Sequence, residues 1–186
     1  MFTWLIKRFI TSFERRYGYD ASYIHFMLRT DSTGARLFMK AASLGQYDRG
    51  VPLAPLCAAR FVAVLAEDCG PCTQLGAKLA LEHGIAPAVL RAIIAGDIAA
   101  MPPEVALTYR FAEASLAHDP VADELREEIR ILWGDQGIVT LALAILSGRV
   151  YPTVKYALGF GQACQRVMIG DESVTPPERP QLRRVA

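Results

Sequence analysis

Two cysteines three positions apart, Cys69 and Cys72, have the spacing in this chain that is most typical of chemistry. Residues at i and i+3 are neighbours on a helix, so two thiols on one first turn lie within reach of a disulfide. Unpaired backbone N–H groups and the positive end of the helix dipole lower the pKa of a thiol there. The pair therefore predicts a site that cycles between dithiol and disulfide.

The two residues between the cysteines suit such a site. Pro71 fits a first helical turn, and Gly70 leaves room for a substrate or partner to approach. The four residues match the active-site sequence of thioredoxins. A thioredoxin fold needs strands beside this helix, whereas residues 61–67 continue a helical pattern. We therefore reject that fold and keep the redox chemistry.

Two other interpretations of the pair stay open at this point. A zinc site would need two further ligands, and His83 lies three turns along the same helix, about 16 Å away by helical rise. Two free cysteines could also serve as small core residues. The sequence predicts no cofactor and no resident metal.

Composition restricts the classes of partner. The chain has 186 residues, 52% of them apolar, and a formal net charge of +1, with no long basic block to bind a nucleic-acid backbone. The longest charge-free apolar stretch, Gly137 to Gly148, is shorter than the roughly 20 residues that span a bilayer. Four cysteines are too few for a disulfide scaffold. We expect a cytoplasmic protein without nucleic-acid or membrane partners.

Apolar residues recur at three- and four-residue spacing along most of the chain, which predicts an all-α fold. Residues 1–49 form an N-terminal helical extension that packs on a helical core of residues 50–169, and the proline- and arginine-rich residues 170–186 form a disordered tail. Start and stop signals predict helices over residues 2–13, 21–28, 34–44, 53–66, 69–83, 88–95, 103–118, 120–133, 138–146 and 152–168.

The motifs along the core resemble a known family. Cys69-x-x-Cys72 at the start of a helix is followed by the segment 81–85, Leu-Glu-His-Gly-Ile, and by a short helix that Ala95-Gly96-Asp97 closes. Residues 104–117 continue the pattern. Together these features resemble the AhpD-like alkylhydroperoxidases of the carboxymuconolactone decarboxylase superfamily.

The resemblance covers about residues 50–165 and carries expectations for fold and activity. It implies an AhpD-like all-helical domain and assembly into trimers or larger rings. It also implies that Cys72 attacks a peroxide as a thiolate and that Cys69 resolves the resulting sulfenic acid into a disulfide. An external dithiol must then reduce that disulfide.

The family's proton relay is absent from this chain. The family pattern has a glutamate twelve residues before the first cysteine and a histidine four residues after the second, where this chain has Cys57 and Gly76. The family often has a histidine or tyrosine just before the second cysteine, and Pro71 is there instead.

Four residues are candidates for an auxiliary role. Glu67 and Asp68 directly precede the pair, so either carboxylate could act as a base, although its charge would also raise the thiol pKa. Cys57 could take part in thiol exchange, but packing in a helix is the favoured interpretation. His83 lies at a helix C-terminus, which favours a capping role over a relay.

The remaining histidines and cysteine are predicted to be structural. His118 also lies at a helix C-terminus, and His25 stands between two apolar residues. Cys164 has no motif around it and is predicted to be a core residue.

Large aromatic residues are frequent near the N-terminus, including Tyr17, Tyr19, Tyr23 and Phe26. Burial within one chain and burial in a subunit interface explain them equally well. Independently of them, the resemblance predicts a homo-oligomer, a trimer or a multiple of it, and a dimer is the alternative.

Two functional hypotheses follow. In the first, the chain is an alkylhydroperoxidase-like oxidoreductase, a thiol-dependent peroxidase or disulfide reductase whose partners are a peroxide or disulfide substrate and an external dithiol reductant. In the second, it is a non-catalytic or redox-sensing helical oligomer that retains the cysteine pair.

Overall fold

A computed structural model describes residues 2–163 and 166–177 and confirms an all-α fold with one small hairpin. The elements in chain order are α1 (Phe2–Tyr17), α2 (Ser22–Thr30), α3 (Ser32–Ala42), α4 (Leu53–Ala66), α5 (Gly70–Glu82), α6 (Pro87–Ala95), α7 (Pro103–Ala117), α8 (Val121–Ala157), β1 (Val167–Ile169) and β2 (Glu172–Val174). Short 3₁₀ turns lie at Ser43–Gln46 and Ile98–Ala100.

Local capping residues set several of the helix ends. The Asp31 side chain caps α3 by accepting a hydrogen bond from the Thr33 N–H at 2.9 Å. Asp20 accepts one from the Ser22 N–H at 2.8 Å before α2. Gly96 ends α6 in the left-handed conformation, with φ of 69°. These signals are local, and for that reason the sequence predicts the first seven helices well.

The region from residue 120 to residue 168 confirms one predicted helix break and contradicts the next. α8 extends from Val121 to Ala157 with a kink at Gly134, whose φ and ψ of 65° and −174° are non-helical, so the predicted end of a helix before Gly134 is confirmed. The predicted break between residues 146 and 152 is absent, and the helix ends at Ala157 instead of near Met168. Pro152 begins no helix but is buried inside α8. The packing of the following turns against α1 to α3 outweighs the loss of one helical hydrogen bond at the proline.

A β hairpin lies where the sequence predicts the end of a helix and the start of a disordered tail. β1 pairs with β2 in antiparallel register, with Met168 opposite Ser173. The side chain of Gln74 on α5 bonds both the backbone N–H and the carbonyl of Met168, at 2.8 and 2.9 Å. Hydrophobic burial of Val167 and Ile169 adds to these bonds and stabilises the hairpin. Cys164 and residues 178–186 lie outside the described residues.

Two hydrophobic clusters hold the helices together. The larger contains residues of α4, α5, α6 and α7, of α8 up to Ile145 and of the strand β1. The smaller joins α1, α2 and α3 to one face of α5 and to the end of α8. Tyr17, Tyr19 and Tyr23 are buried in this second cluster, and Phe26 is partly exposed with its ring 5.8 Å from that of Phe160. Burial within one chain therefore accounts for the three tyrosines.

By length and composition, α8 is the one helix in the described part of the chain that could cross a membrane. An 18-residue window of it has a mean hydropathy of 1.5, and 28% of that window is buried within the chain. The core helix of a soluble protein meets the same criteria, and α8 packs against α4 and α7. Length and hydropathy are thus weak support for a membrane span.

Lys155 is a buried cation within the second cluster, with only 2% of its surface exposed. Its Nζ lies 4.7 Å from the ring centre of Tyr19 and 5.2 Å from that of Tyr23, so both rings stabilise the charge by cation–π interaction. Burial nevertheless lowers the pKa of Lys155, and the negative charge of Asp20 opposes this shift in part.

α4 and α8 approach each other closely at Gly148. A Cβ at this position would lie 2.6 Å from the Arg60 carbonyl oxygen and 2.7 Å from the Ala63 Cβ. Because one of these atoms belongs to the backbone of α4, no side-chain rotation can remove the clash. The distance between the two helices therefore requires glycine here.

We expect Gly148→Ala to lower the free energy of unfolding by about 1–2 kcal/mol. The added methyl overpacks the contact between α4 and α8 at a cost of about 2–3 kcal/mol, because a backbone atom cannot move aside, and the preference of a helix interior for alanine over glycine offsets roughly 1 kcal/mol of it. Gly45→Ala is the matched control, since its added Cβ would meet Ser147 at an ordinary 3.7 Å. Urea unfolding of the three proteins measures the effect, and equal stability of Gly148→Ala and wild type would contradict it.

We also expect a pH dependence from Lys155. Since its pKa is lowered in the folded state, the unfolded chain binds more protons between that value and the ordinary lysine pKa of about 10.4. The wild type therefore becomes more stable as the pH rises through this window. Lys155→Met lacks this dependence, so its free energy of unfolding falls relative to that of the wild type. Urea unfolding from about pH 7 to about pH 9.5 measures this difference, below the ordinary tyrosine pKa of about 10. A difference that stays constant would contradict the assignment.

Candidate functional site

Cys69 and Cys72 lie together at the N-terminus of α5, as the sequence predicts. Cys69 is the N-cap residue, and Cys72 lies on the first turn of this 13-residue helix. Their Cα atoms are 5.3 Å apart and their sulfurs are at disulfide distance. Pro71 occupies the first turn between them, where a missing N–H costs no helical hydrogen bond. The geometry allows the pair to exist as a dithiol or as a disulfide.

The two cysteines differ in exposure. Cys69 is fully buried, and the Thr73 hydroxyl donates a hydrogen bond to its carbonyl at 2.9 Å. Cys72 is half-buried and borders a large cavity. A molecule inside that cavity therefore reaches the sulfur of Cys72 before that of Cys69.

The backbone before the pair is held by residues from the end of α8 and just beyond it. Asp68 adopts a left-handed conformation, with φ of 50°, and thereby turns the chain from α4 into α5. Its carbonyl accepts a hydrogen bond from the Tyr156 hydroxyl at 2.7 Å. The Gly70 N–H donates to the Gln162 carbonyl at 3.0 Å. These bonds fix the direction in which α5 leaves the turn.

The cavity has a volume of about 990 Å³ and is lined by residues of α1 to α5 and of α8. Its walls are mainly apolar stripes at helical spacing, so each helix presents one face to it. The stripe on α4 is Leu53, Leu56, Cys57, Arg60, Phe61 and Val64. The stripe on α5 is Cys72, Leu75, Gly76, Leu79, Ala80 and His83.

α1 closes one side of this cavity with the apolar face that the sequence predicts. Leu5, Ile6, Phe9, Ile10 and Phe13 line it. The C-terminal end of α1 is attached to α5, because the Tyr17 hydroxyl donates to the Glu82 carboxylate at 2.7 Å.

Cys57 borders the same cavity but differs from Cys72 in its chemistry. It is a buried free cysteine, and burial raises the pKa of its thiol to about 12, against the opposing effect of Arg60. At neutral pH it is therefore a neutral thiol with little nucleophilic character. Gly76 is the other residue at a position where the family has a relay residue. It lies against Phe61, because a Cβ added at Gly76 would be 3.3 Å from the Phe61 ring.

Glu67 and Asp68 do not resemble a free pair of catalytic bases. Glu67 is the C-cap residue of α4, and its carboxylate accepts hydrogen bonds from Arg149 Nε at 2.5 Å and from Thr153 Oγ1 at 3.4 Å. It thereby joins the end of α4 to α8. Asp68 is exposed, and its backbone forms the turn before Cys69. Both residues thus help to fix the backbone that precedes the cysteine pair.

The histidines occupy the structural positions that the sequence predicts. His83 is the C-cap residue of α5, with Nδ1 2.7 Å from the Leu79 carbonyl, although its exposed side chain also borders the cavity. His118 is the C-cap residue of α7. His25 lies on α2 with Nε2 3.0 Å from the Glu14 carboxylate.

Arg60 is a residue of the site whose importance sequence reasoning missed. It lies one turn after Cys57 on a helix that is otherwise apolar, and its side chain borders the cavity. The available signal was a single charge in the stripe of α4 that pairs with no carboxylate at i+3 or i+4. Within the described ranges, no group of three or more His, Cys, Asp or Glu side chains is placed to hold a metal.

In comparisons with protein-family models, curated proteins and solved structures, nothing matches this chain. The resemblance to the AhpD-like alkylhydroperoxidases therefore stays a prediction.

We expect the reduced protein to show a large contrast between the thiols of Cys72 and Cys57. Because burial holds Cys57 in its neutral form while Cys72 lies at a helix N-terminus, iodoacetamide at neutral pH should alkylate Cys72 at least about tenfold faster. Peptide mass spectrometry of samples quenched over time measures both rates. Alkylation of Cys57 at a rate equal to that of Cys72 would contradict the assignment.

Proposed function

We propose that this protein is a thiol-dependent oxidoreductase that reduces an organic hydroperoxide, with Cys72 as the attacking thiolate and Cys69 as the resolving thiol. The position of Cys72 is the observation that carries the proposal: this half-buried residue borders a mainly apolar cavity at a helix N-terminus. Cys69 is directly behind it and fully buried. This difference in exposure suits a Cys72 sulfur that reacts with substrate and a Cys69 sulfur that reacts only with Cys72.

In the first step the Cys72 thiolate attacks the terminal oxygen of the hydroperoxide. An S–O bond forms while the O–O bond breaks, and the alkoxide that leaves takes a proton to become an alcohol. Cys72 is oxidised to a sulfenic acid, and the hydroperoxide is reduced by two electrons. The apolar walls suit the alkyl or aryl part of such a substrate.

In the second step the sulfur of Cys69 attacks the sulfenic sulfur of Cys72. The S–S bond forms, the S–O bond breaks, and the hydroxide that leaves combines with the thiol proton of Cys69 as water. The Cα separation of 5.3 Å allows this bond without movement of the helix. An external dithiol then returns both cysteines to thiols by thiol–disulfide exchange and is itself oxidised to a disulfide.

The N-terminus of α5 must stabilise the Cys72 thiolate, because Cys57 and Gly76 occupy the positions where the family has its glutamate and histidine proton relay. A helix terminus stabilises a nearby negative charge by about 0.3–1 kcal/mol, whereas one pKa unit corresponds to about 1.4 kcal/mol. The helix end alone therefore increases the thiolate fraction by less than tenfold. We expect peroxide reduction to be slower than in an enzyme with an intact relay.

The alternative is a redox sensor that uses the same pair without turnover. The Asp68 carbonyl before the pair is bonded to Tyr156 and the Gly70 N–H between the cysteines to Gln162, so a change at the pair would act on the chain at and after the end of α8. A sensor would form the disulfide with oxidant but would not consume hydroperoxide repeatedly in the presence of a dithiol.

Cytoplasmic location and homo-oligomerisation stay predictions. A trimer, a multiple of it, or a dimer remains the expected assembly. Exposed apolar side chains along α8, among them Ile131, Val139 and Leu146, provide a surface that a second copy could cover.

The proposal is tested by adding one equivalent of cumene hydroperoxide to the reduced protein and following intact mass and thiol count. We expect the loss of two hydrogens and two thiols. In Cys69→Ser, a sulfenic acid that dimedone traps should accumulate at Cys72. Cys72→Ser should not react at this site. Cys57→Ser is the matched control and should form the disulfide as wild type does, because its thiol lies outside the pair.

Multiple turnover with dithiothreitol then separates the enzyme from the sensor. Continued consumption of hydroperoxide supports the enzyme, whereas a single stoichiometric oxidation supports the sensor. Wild-type activity in Cys72→Ser would overturn the assignment of roles to the two cysteines.

A further inference from the structure

Arg60 places a cationic side chain on the wall of the apolar cavity. Its Nε is buried and has no hydrogen-bond partner among the described residues. One terminal nitrogen, Nη2, donates only a long hydrogen bond, 3.4 Å, to the Tyr47 carbonyl. A buried N–H without a partner is costly, so the folded chain retains an unsatisfied donor at this position.

The charge of Arg60 is also incompletely balanced. Burial lowers its pKa, and Cys57 and Asp48 oppose that shift, yet an arginine side chain remains protonated in proteins. Asp48 is exposed and makes no ion pair with Arg60 within 4 Å in the described part of the chain. The guanidinium therefore has the capacity to bind one more negative group.

Most of the remaining cavity lining is apolar and suits a hydrocarbon chain, although Asp48 and His83 also border the cavity. Its volume of about 990 Å³ is at the upper end of the range of roughly 300–1,000 Å³ that is typical of ligand pockets. Opposite the stripe of α4 lies the stripe of α5, which begins at Cys72 and continues through Leu75 and Leu79. A chain that lies between the two helices passes the redox pair.

We propose that the cavity binds a long-chain monocarboxylate, with the carboxylate at Arg60 and the hydrocarbon between α4 and α5. A guanidinium and a carboxylate form paired, charge-assisted hydrogen bonds, which would satisfy the buried Nε. One arginine balances the single charge of a carboxylate. A phosphate monoester would bring a charge of about −1.5 to −2 and fits this site less well.

The N-terminal helix supplies an apolar opening for such a molecule. Leu5 and Phe9 of α1 line the cavity, although 55% and 70% of their surfaces are exposed. Apolar side chains that belong to both the cavity and the outer surface form an edge along which a hydrocarbon can enter. The proposal thus explains why α1 leaves these side chains unburied.

If the protein has the proposed peroxidase function, on which this assignment rests, its substrates are fatty-acid hydroperoxides. The carboxylate at Arg60 would hold the chain so that a hydroperoxide group along it meets Cys72. The binding of the carboxylate itself requires no redox chemistry.

The first test measures binding of cis-parinaric acid, a fluorescent long-chain carboxylate, to the full-length protein in its disulfide form, where no thiol chemistry can interfere. We expect Arg60→Met to raise the dissociation constant at least about tenfold, since hydrogen bonds to charged groups are lost. Arg110→Met, which removes an exposed arginine from α7, is the matched control and should bind as wild type does. Arg60→Lys keeps the charge and should weaken binding less than Arg60→Met.

The methyl ester of the same probe provides the second arm. It should bind wild type and Arg60→Met with the same weak affinity, because it lacks the negative charge. Equal affinity of the ester and the acid for wild type would overturn the proposal. The proposal would also be overturned if the acid did not bind, or if lysophosphatidic acid displaced the probe at a lower concentration than oleate does. Thermal unfolding of Arg60→Met confirms that a lost affinity is not lost folding.

A third arm separates this inference from the proposed function. With dithiothreitol as reductant, linoleic acid hydroperoxide and cumene hydroperoxide are compared in wild type and Arg60→Met. A selective loss of kcat/KM for linoleic acid hydroperoxide supports the inference. Equal losses for both hydroperoxides would overturn it while peroxidase activity stands. Arg60-dependent binding of parinaric acid without any hydroperoxide reduction would support the site and refute the peroxidase function.

Discussion

The close crossing of α4 and α8 is the constraint on which the rest of the structure depends. Ten of the fourteen residues of α4 are buried, so this helix must be enclosed on nearly all sides. Gly148 lets the backbone of α8 approach the Arg60 carbonyl at a distance that excludes any side chain. The contact fixes the rotation of α4 about its axis, and with it the face that carries Cys57 and Arg60 toward the cavity.

The redox pair depends on the same two helices. Glu67 at the end of α4 is bonded to Arg149 and Thr153 of α8, and the following turn is bonded to Tyr156. α8 therefore holds both the central helix and the start of α5. A long helix across a buried proline serves this purpose, because the attachment points lie on both sides of Pro152.

Lys155, which is buried, and Arg60, which is half-buried, show how differently the chain treats charge. The Nζ of Lys155 lies against the rings of Tyr19 and Tyr23, which compensate part of the cost of burial. The buried Nε of Arg60 has no hydrogen-bond partner within residues 2–163 and 166–177. A buried polar group that the fold leaves unsatisfied is expected where a ligand completes the site. The contrast explains why the proposed ligand is placed at Arg60 and not at Lys155.

The sequence by itself determined the features that depend on neighbours along the chain. The bounds of α4, the glycine end of α6 and the location of Cys69 and Cys72 on one first turn follow from caps, prolines and three- to four-residue spacing. Only the tertiary structure decided the continuity of α8 through Pro152, the hairpin after it and the place of Arg60 in a cavity. These features arise from contacts between residues far apart in the chain, whose free energies outweigh local preferences and leave no periodic signal to read.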